Sequence, residues 1–208
     1  MPPVAVALAL LVAAYLLGSL SGSLLLGRLR GVDIRRHGSG NAGGTNALRT
    51  LGWKFALGTV LIDVGKGVAA TWLGLRFGPA PWVAYAAAFA AILGHVWPVF
   101  HGFRGGKGGG TLVGALLVLW PLAVPVLIGT WLVVLVASGY VGLSTMLAAG
   151  SLVPLALLAG DGPLRLAFAV ACAVFIAFTH RANVARLRAG TESRFERVRL
   201  FAHRRRSA

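Results

Sequence analysis

Two short polar segments carry residue types that could hold a phosphate group. The first runs from His37 to Arg49 and the second from Phe103 to Thr111, and both are glycine-rich and lie between long apolar stretches. Glycines let backbone amides approach a ligand closely, while hydroxyl groups and fixed cations supply further donors. The pattern predicts either two bound phosphates or one phosphate held from two sides.

The candidate ligands in these segments are glycines, hydroxyl and amide side chains, and two cations. The first segment offers Ser39, Gly40, Asn41, Thr45, Asn46 and Arg49, and the second offers Gly105, Gly106, Lys107, Gly108 and Thr111. The second segment does not match the Walker pattern, because glycine rather than serine or threonine follows the lysine. This excludes a nucleotide-binding domain of that type and leaves a simpler phosphate cradle.

A third group of candidates lies near the end of the last apolar stretch. His180 and Asn183 share one face if the helix continues past that point, and Ser144 is expected on the same side of the membrane. The structural alternative is a helix cap that contacts lipid headgroups.

Charged and imidazole side chains also occur inside the apolar stretches. Asp63 and Lys66 are one helical turn apart, which fits either a mutually neutralising buried pair or a pair that braces the site. For His95 we expect a structural bond to a neighbouring loop. Cys172 lies in an apolar run and is interpreted as a buried hydrophobic residue. No cluster has the spacing of a metal site, and no cofactor is expected.

Composition places the chain among membrane proteins. Its 208 residues are 57% hydrophobic and only 12% charged, with a mean hydropathy of +0.80. The apolar residues form long runs without the alternation of a membrane barrel. The sequence therefore predicts an all-α integral membrane protein. The first apolar segment lacks a basic start and an evident cleavage site, so we interpret it as a retained span.

We predict seven transmembrane helices, with the N-terminus outside and the C-terminus in the cytoplasm. The spans are placed at residues 4–27, 53–75, 82–100, 111–120, 122–138, 143–159 and 164–179, with outside turns at 78–81 and 160–163. Spans four and five are the least certain, since they fit either a pair of short helices or one long helix broken at Pro121 and Pro125.

The net charge of +15 comes from 20 Lys and Arg residues against 5 Asp and Glu residues. Most of these cations lie in three places, which the positive-inside rule assigns to the cytoplasm. They are the first glycine-rich segment and the residues just before it (Arg28, Arg30, Arg35, Arg36 and Arg49), the second segment (Arg104 and Lys107) and a basic tail from Arg181 to Arg206. Anionic membrane lipid, rather than nucleic acid, is the partner that this charge predicts.

The order and spacing of these segments resemble a bacterial family of membrane acyltransferases that acylate glycerol 3-phosphate with acyl-phosphate. The matching residues are Gly18-Ser19, Gly38 to Asn41, Thr45-Asn46, Arg49, Asp63-x-x-Lys66-Gly67, Gly94-His95, Gly105 to Gly108, Thr111 and His180-Arg181-x-Asn183, followed by Arg186, Gly190 and Glu192. The resemblance covers essentially the whole chain and implies a single domain over residues 1–208. Small residues at Gly44, Gly109, Gly110 and Gly142 depart from the family's usual choices.

The resemblance implies transfer of a fatty acyl group to the sn-1 hydroxyl of glycerol 3-phosphate, giving lysophosphatidic acid and phosphate. It implies that Ser39, Gly40, Asn41 and Thr45 hold the acyl-phosphate, with Asn46, Gly105, Gly106, Gly108 and Thr111 also binding substrate. It implies that Lys107 and Arg49 neutralise charge between the substrates, and that His180, Asn183 and Ser144 orient glycerol 3-phosphate. Arg181 is a further substrate-binding candidate, and Glu192 pins either the tail or a substrate hydroxyl. The expected location is the bacterial inner membrane with a cytoplasmic active site, and a soluble enzyme that makes acyl-phosphate is a candidate partner.

The proton acceptor in this reaction is open at the sequence level. No histidine is followed by aspartate at the spacing of the other glycerolipid acyltransferase class, so either His180 or the substrate's own phosphate takes the proton. A transporter of a phosphorylated metabolite is the alternative function, although no inverted repeat is visible. A CDP-alcohol phosphotransferase is disfavoured, because its metals need several aspartates.

Overall fold

The structure is a computed structural model that describes residues 2–160 and 162–195. Within these ranges every regular element is helical, as the sequence predicted. The chain forms two compact units, Met1–Pro121 and Leu122–Ala208, which are called the first and the second unit below. Asp161 in the predicted outside turn and the basic tail beyond Phe195 lie outside the described residues.

The first unit is built around one long central helix. Its helices are α1 (Pro3–Gly18), α2 (Gly22–Leu29), α3 (Gly44–Leu51), α4 (Trp53–Phe77), α5 (Trp82–Val96) and α6 (Gly109–Leu119), with 3-10 turns at Ile34–Arg36 and Val99–His101. Helix α4 packs against all five others. It matches the predicted second span within two residues at its end, and α5 and α6 match the third and fourth spans closely.

Glycines bring the helix backbones of the first unit together. Gly67 of α4 lies against the backbone carbonyl of Thr111 in α6, and Gly114 of α6 lies against the carbonyl of Val64. Small residues allow such close approach, which is how helices associate when lipid rather than water surrounds them.

The predicted first span is wrong as a continuous helix. The chain bends by 49° between α1 and α2, which leaves backbone groups of the break inside the protein. Lys66 Nζ donates to the Leu20 carbonyl at 3.1 Å, and the Gly22 amide donates to Asp63 Oδ1 at 3.1 Å. A break within a membrane persists only when its backbone groups find partners, and this buried ion pair supplies them.

The second unit contains the remaining helices. They are α7 (Ala123–Ser138), α8 (Val141–Gly150), α9 (Leu152–Leu158), α10 (Pro163–Thr179) and α11 (Arg181–Arg188). Helix α8 packs against α7, α10 and α11, and Trp131 Nε1 donates to Thr145 Oγ1 at 3.2 Å between α7 and α8. The chain is interrupted at 120–122 between α6 and α7, as both alternatives for spans four and five predicted.

Length and composition support a smaller number of spans than the sequence predicted. Among the described residues three helical segments could cross a membrane, Trp53–Phe77, Trp82–His101 and Val141–Leu158, and the bent pairs α1–α2 and α10–α11 raise the number to five. Helices α6 and α7 are apolar but shorter. The outward faces are apolar, as at Val4 and Val133, which are 69% and 70% exposed. The membrane class of the fold agrees with the prediction, whereas seven spans and the orientation of the termini remain predictions.

Candidate active site

The first glycine-rich segment contains a helix that was not predicted from the sequence. Residues 44–51 form α3, which begins directly after Gly43 and has no side-chain cap at its N-terminus. An uncapped helix start presents unpaired amides and the positive end of the helix dipole. The signal was the short apolar spacing of Ala47, Leu48 and Leu51 between glycines, which the high polarity of the segment obscured.

Asn46 organises this segment from within. Its side chain is 1% exposed, its Nδ2 donates to the carbonyls of Ile34, His37 and Asn41, and its Oδ1 accepts from the Ser39 amide at 2.9 Å. Both ends of the amide are therefore used to hold the segment in shape. This geometry gives Asn46 a positioning role rather than the direct substrate contact that the sequence analysis assigned to it.

The other candidates of the first segment lie on its accessible side. Ser39, Gly40 and Arg49 are exposed, and Asn41 and Thr45 are half-buried. Gly40 has a φ of 71°, a conformation that glycine adopts without strain. Ser39, Thr45 and the amides at the start of α3 are thus available to an anion.

The second segment leads into another uncapped helix. Helix α6 begins at Gly109, and its N-cap Gly108 is left-handed with a φ of 91°. The Gly105 and Gly106 amides donate to the carbonyls of Val96 and His95, both at 3.1 Å, which ties the segment to the end of α5. Lys107 is half-buried immediately before the start of α6.

Thr111 lies deeper than the sequence analysis expected. It is fully buried in the contact between α4 and α6, and its Oγ1 has no hydrogen-bond partner among the described residues. Its predicted contact with substrate would require this packing to open.

The two glycine-rich segments meet in the first unit. A Cβ atom on Gly106 would contact His95 Nε2 and lie 2.6 Å from the Ala42 carbonyl oxygen. Arg35 makes a second link, because its Nη1 donates to the carbonyls of His101 and Arg104 at 2.8 and 3.1 Å. This contact between the two segments is compatible with the predicted phosphate that is held from both sides.

Arg35 is held in turn by Asp33. Its Nε and Nη2 donate to the carboxylate of Asp33 at 2.8–3.2 Å, and the Arg35 amide donates to Asp33 Oδ1. These hydrogen bonds lower the pKa of Asp33 from 3.8 to about 2. A planar guanidinium suits such a forked arrangement better than an ammonium would.

This pair predicts a component of acid sensitivity. Because the folded state favours ionised Asp33, the pair stabilises the fold above about pH 3.8 and its contribution is lost as the pH falls toward about 2. The Asp33 side chain is 31% exposed, so we expect a contribution of about 1 kcal/mol or less. Thermal unfolding of Asp33→Asn across this range should show lower stability than the parent at neutral pH and convergence with it in acid. Equal stability at neutral pH would contradict the assignment.

A buried ion pair and an imidazole lie beneath the two segments. Asp63, Lys66 and His95 are 3%, 6% and 3% exposed. Lys66 Nζ lies 3.1 Å from Asp63 Oδ1 and 2.8 Å from His95 Nδ1, and it also donates to the Leu20 carbonyl. The three protons of the ammonium thus match three acceptors. The predicted ion pair is therefore present. The His95 side chain contacts helix α4, and among the described residues only its backbone carbonyl accepts a hydrogen bond from a neighbouring loop, at the Gly106 amide.

The same arrangement assigns the His95 tautomer. Nδ1 lies closer to Lys66 Nζ, at 2.8 Å, than to Asp63 Oδ1, at 3.4 Å, so it accepts from Lys66 and the ring proton is placed on Nε2. That nitrogen faces Gly106. The buried pair of Asp63 and Lys66 thereby connects the break between α1 and α2 with the second glycine-rich segment, which carries Lys107.

The second unit holds His180, Asn183 and Ser144, which are all buried. His180 Nδ1 lies 2.8 Å from the Ile176 carbonyl. A carbonyl can only accept, so Nδ1 carries a proton, and in the neutral form of the ring the lone pair is then on Nε2. Ser144 donates its hydroxyl proton to the Tyr140 carbonyl at 2.8 Å, which leaves its oxygen as the group that a ligand could use.

Glu192 fixes the segment that follows α11. Its Oε1 accepts from Asn183 Nδ2 at 2.7 Å and its Oε2 accepts from Arg186 Nε at 2.6 Å. Of the two roles considered for Glu192, this geometry favours pinning the tail. Gly142 lies against the Asn183 side chain, where a Cβ would come within 2.6 Å of Nδ2. Glycine at this position lets Asn183 approach the start of α8.

The Arg181 side chain contacts Phe178. It is exposed, its guanidinium stacks on Phe178 at 4.5 Å, and its Nη1 donates to the Phe178 carbonyl. Its predicted substrate contact would require release from this arrangement. No group of metal-ligating side chains occurs in the part of the chain that the structure describes.

Comparison with known proteins decides the family. The model of the glycerol-3-phosphate acyltransferase family matches residues 8–190. The chain belongs to this family. Glycerol-3-phosphate acyltransferase of Synechococcus sp. is 43% identical over 189 residues, covering 90% of this chain and 94% of the relative. The enzyme of Symbiobacterium thermophilum is 47% identical over 182 residues, covering 86% and 90%.

Solved structures of the acyltransferase family agree with the fold. A crystal structure of PlsY, an integral membrane glycerol 3-phosphate acyltransferase, in its glycerol 3-phosphate form has a TM-score of 0.86 and 36% identity, covering 91% of this chain and 95% of PlsY. A lysophosphatidic acid form of PlsY has a TM-score of 0.84 at the same identity and coverage. The family resemblance and the acyltransferase class inferred from the sequence are confirmed.

Proposed function

We propose that this acyltransferase moves a fatty acyl group from acyl-phosphate to the sn-1 hydroxyl of glycerol 3-phosphate, giving lysophosphatidic acid and inorganic phosphate. The observation that most directly supports this proposal is the contact between the two glycine-rich segments of the first unit. Each segment leads into a helix that has no side-chain cap at its N-terminus. Family membership supplies the acceptor, since PlsY was solved with glycerol 3-phosphate and with lysophosphatidic acid.

In this proposal the first unit binds the phosphate of the acyl donor. The amides at the start of α3 and the donors Ser39, Gly40, Asn41 and Thr45 face the phosphate, while Asn46 keeps their segment in shape. The backbone of Gly105, Gly106 and Gly108 places Lys107 at the start of α6. Arg49 and Lys107 neutralise phosphate charge, as charge-assisted donors do most strongly.

The second unit contributes the groups assigned to glycerol 3-phosphate. His180, Asn183 and Ser144 are buried polar side chains of the kinds that hydrogen-bond to a hydroxyl or a phosphate. Glu192 orients Asn183 and secures the tail. None of these groups needs a metal or an organic cofactor for acyl transfer.

The chemistry needs little acid catalysis. The sn-1 oxygen attacks the acyl carbonyl carbon, a carbon–oxygen bond forms, and the bond from that carbon to the phosphate oxygen breaks. Phosphate leaves with the bonding electron pair, and the hydroxyl proton goes either to His180 Nε2 or to a phosphate of the substrates. A phosphate monoester has a second pKa near 6, roughly that of an imidazole, so both acceptors suit neutral pH.

Replacing His180 with glutamine separates these two proton acceptors. Glutamine keeps hydrogen bonding but cannot take a proton, so a catalytic base predicts loss of nearly all turnover. A positioning role predicts substantial kcat with a raised KM for glycerol 3-phosphate, and steady-state kinetics with palmitoyl-phosphate distinguish the two. Unchanged kcat and KM would remove His180 from the site. The control is Arg188→Gln, which replaces an exposed cation at the end of α11, the helix that begins directly after His180.

We propose the bacterial inner membrane as the location, with seven spans, an outside N-terminus and a cytoplasmic active site and C-terminus. The support is the gathering of cations in the two glycine-rich segments and near α11. The native chain has one cysteine, which is buried. Labelling of single cysteines introduced at Ser39 and at the exposed Pro79 with an impermeant reagent tests this in spheroplasts, where only Pro79→Cys should react. A soluble enzyme that supplies acyl-phosphate is the proposed partner.

A further inference from the structure

A cationic groove lies beside the first glycine-rich segment and is not used by the proposed reaction. Its volume is about 520 Å³, and it is lined by Leu24, Arg28, Gly31, Val32, Asp33, Arg35, Arg36, His37 and His101. All these residues belong to the first unit. None of them is among the residues assigned above to acyl-phosphate or to glycerol 3-phosphate.

The unneutralised charge of the groove comes from two arginines. Asp33 and Arg35 form the ion pair described above and cancel each other. Arg28 and Arg36 are exposed, and neither has a hydrogen-bond or salt-bridge partner in residues 2–160 and 162–195. Two guanidinium groups therefore line one groove, and among the described residues the only carboxylate of the lining, Asp33, is already paired with Arg35.

The rest of the lining suits a phosphate that carries an organic substituent. Leu24 is buried and Val32 is half-buried, so the groove has an apolar part between its cations. His37 and His101 add imidazole groups, and the Nε2 atom of His101 is buried without a hydrogen-bond partner among the described residues. Guanidinium groups bind phosphate through paired hydrogen bonds, and the volume exceeds what a phosphate alone would fill.

We propose that this groove is a further phosphate-binding site, distinct from the residues assigned above to acyl-phosphate and to glycerol 3-phosphate. Arg28 and Arg36 hold the phosphate, and Leu24 and Val32 contact the group attached to it. The ligand is either the headgroup of an anionic phospholipid, which reaches the groove from the bilayer, or a free phosphorylated molecule from solution. Both sources present the same chemistry to the two arginines.

The test compares two double variants of the full-length protein that lose the same charge. Arg28→Gln with Arg36→Gln removes the cations of the groove. Arg30→Gln with Lys54→Gln removes two exposed cations that stack on Phe55 and Trp53 and do not line it. Size-exclusion profiles and unfolding temperatures check that both variants are folded.

Each ligand source has its own measurement. Binding of inorganic phosphate is measured by calorimetry in phosphatidylcholine nanodiscs, with all variants carrying Lys107→Ala to weaken binding at the proposed active site. Binding of anionic lipid is measured by native mass spectrometry of protein extracted from bilayers that contain both phosphatidylglycerol and phosphatidylcholine. The quantity compared is the amount of each lipid that stays bound to the protein. Neither readout requires turnover, so the result is independent of whether the proposed reaction is correct.

We expect Arg28→Gln with Arg36→Gln to weaken binding of either inorganic phosphate or phosphatidylglycerol by at least about tenfold, because charge-assisted hydrogen bonds are lost. Arg30→Gln with Lys54→Gln should change the same binding little. A loss confined to inorganic phosphate identifies a site for a free ligand, and a loss confined to phosphatidylglycerol identifies a lipid site. An equal loss of binding in the two double variants would mean that the groove acts only through the positive charge of the protein as a whole, and this would overturn the proposal. Failure of the parent protein to bind either probe would overturn it as well.

Discussion

Replacement of Gly106 by alanine is expected to lower kcat/KM for acyl transfer by about a hundredfold or more. The added methyl group would meet the His95 ring on one side and the Ala42 carbonyl on the other. Both neighbours are held, His95 by Lys66 and Ala42 by full burial. The segment that bears Lys107 must therefore move away, and a displacement of about 1 Å at a catalytic group can cost a hundredfold in rate.

The control for this variant is Gly65→Ala in α4, where a Cβ atom meets nothing within 4 Å. Alanine also favours a helix over glycine by about 1 kcal/mol, so Gly65→Ala should keep activity and gain slightly in stability. Steady-state phosphate release gives the rates, and thermal unfolding shows whether Gly106→Ala remains folded. A folded Gly106→Ala variant with parental kinetics would contradict the role given to the contact between the two segments.

Replacement of Lys66 by methionine is expected to destabilise the protein by roughly 3–5 kcal/mol, the usual cost of removing one partner from a buried ion pair. Methionine has nearly the length of lysine but provides no donor, so Asp63, the Leu20 carbonyl and His95 Nδ1 each lose a hydrogen bond. The break between α1 and α2 and the anchor of the lysine-bearing segment should both loosen. A lower unfolding temperature in detergent and reduced kcat are the expected readouts.

Two further variants make the Lys66 result specific. Lys54→Met removes an exposed lysine from the same helix and should change stability little. Combining Lys66→Met with Asp63→Asn removes the unpaired carboxylate, so the double variant should be more stable than Lys66→Met alone. An unfolding temperature of Lys66→Met equal to that of Lys54→Met would show that the buried pair does not hold the fold together.

The sequence predicted the helices wherever an uninterrupted apolar run was sufficient to define them. Helix α4 and the separate helices α6 and α7 fall close to their predicted bounds, because length and hydropathy determine such elements. The prediction missed the break between α1 and α2, although residues 18–23 read Gly-Ser-Leu-Ser-Gly-Ser and glycine and serine are common turn residues. A second, distant hint was the pair of intramembrane charges at Asp63 and Lys66, which had to find partners somewhere in the fold.

The candidate site, too, was predictable from the sequence only in part. Residue types and spacing indicated the phosphate-binding segments, because glycines, hydroxyls and cations are recognisable one position at a time. The sequence could not show that Asn46 faces inward to three carbonyls or that the His95 ring lies against Gly106. Such contacts join residues that are distant in the chain, and only the packed helices bring them together.

The most direct test of the proposed function is phosphate release from palmitoyl-phosphate by the purified, detergent-solubilised protein, with and without glycerol 3-phosphate. The account predicts release that depends on the acceptor, with formation of lysophosphatidic acid, and its loss in Lys107→Ala. A folded sample that releases no phosphate in response to glycerol 3-phosphate would contradict it.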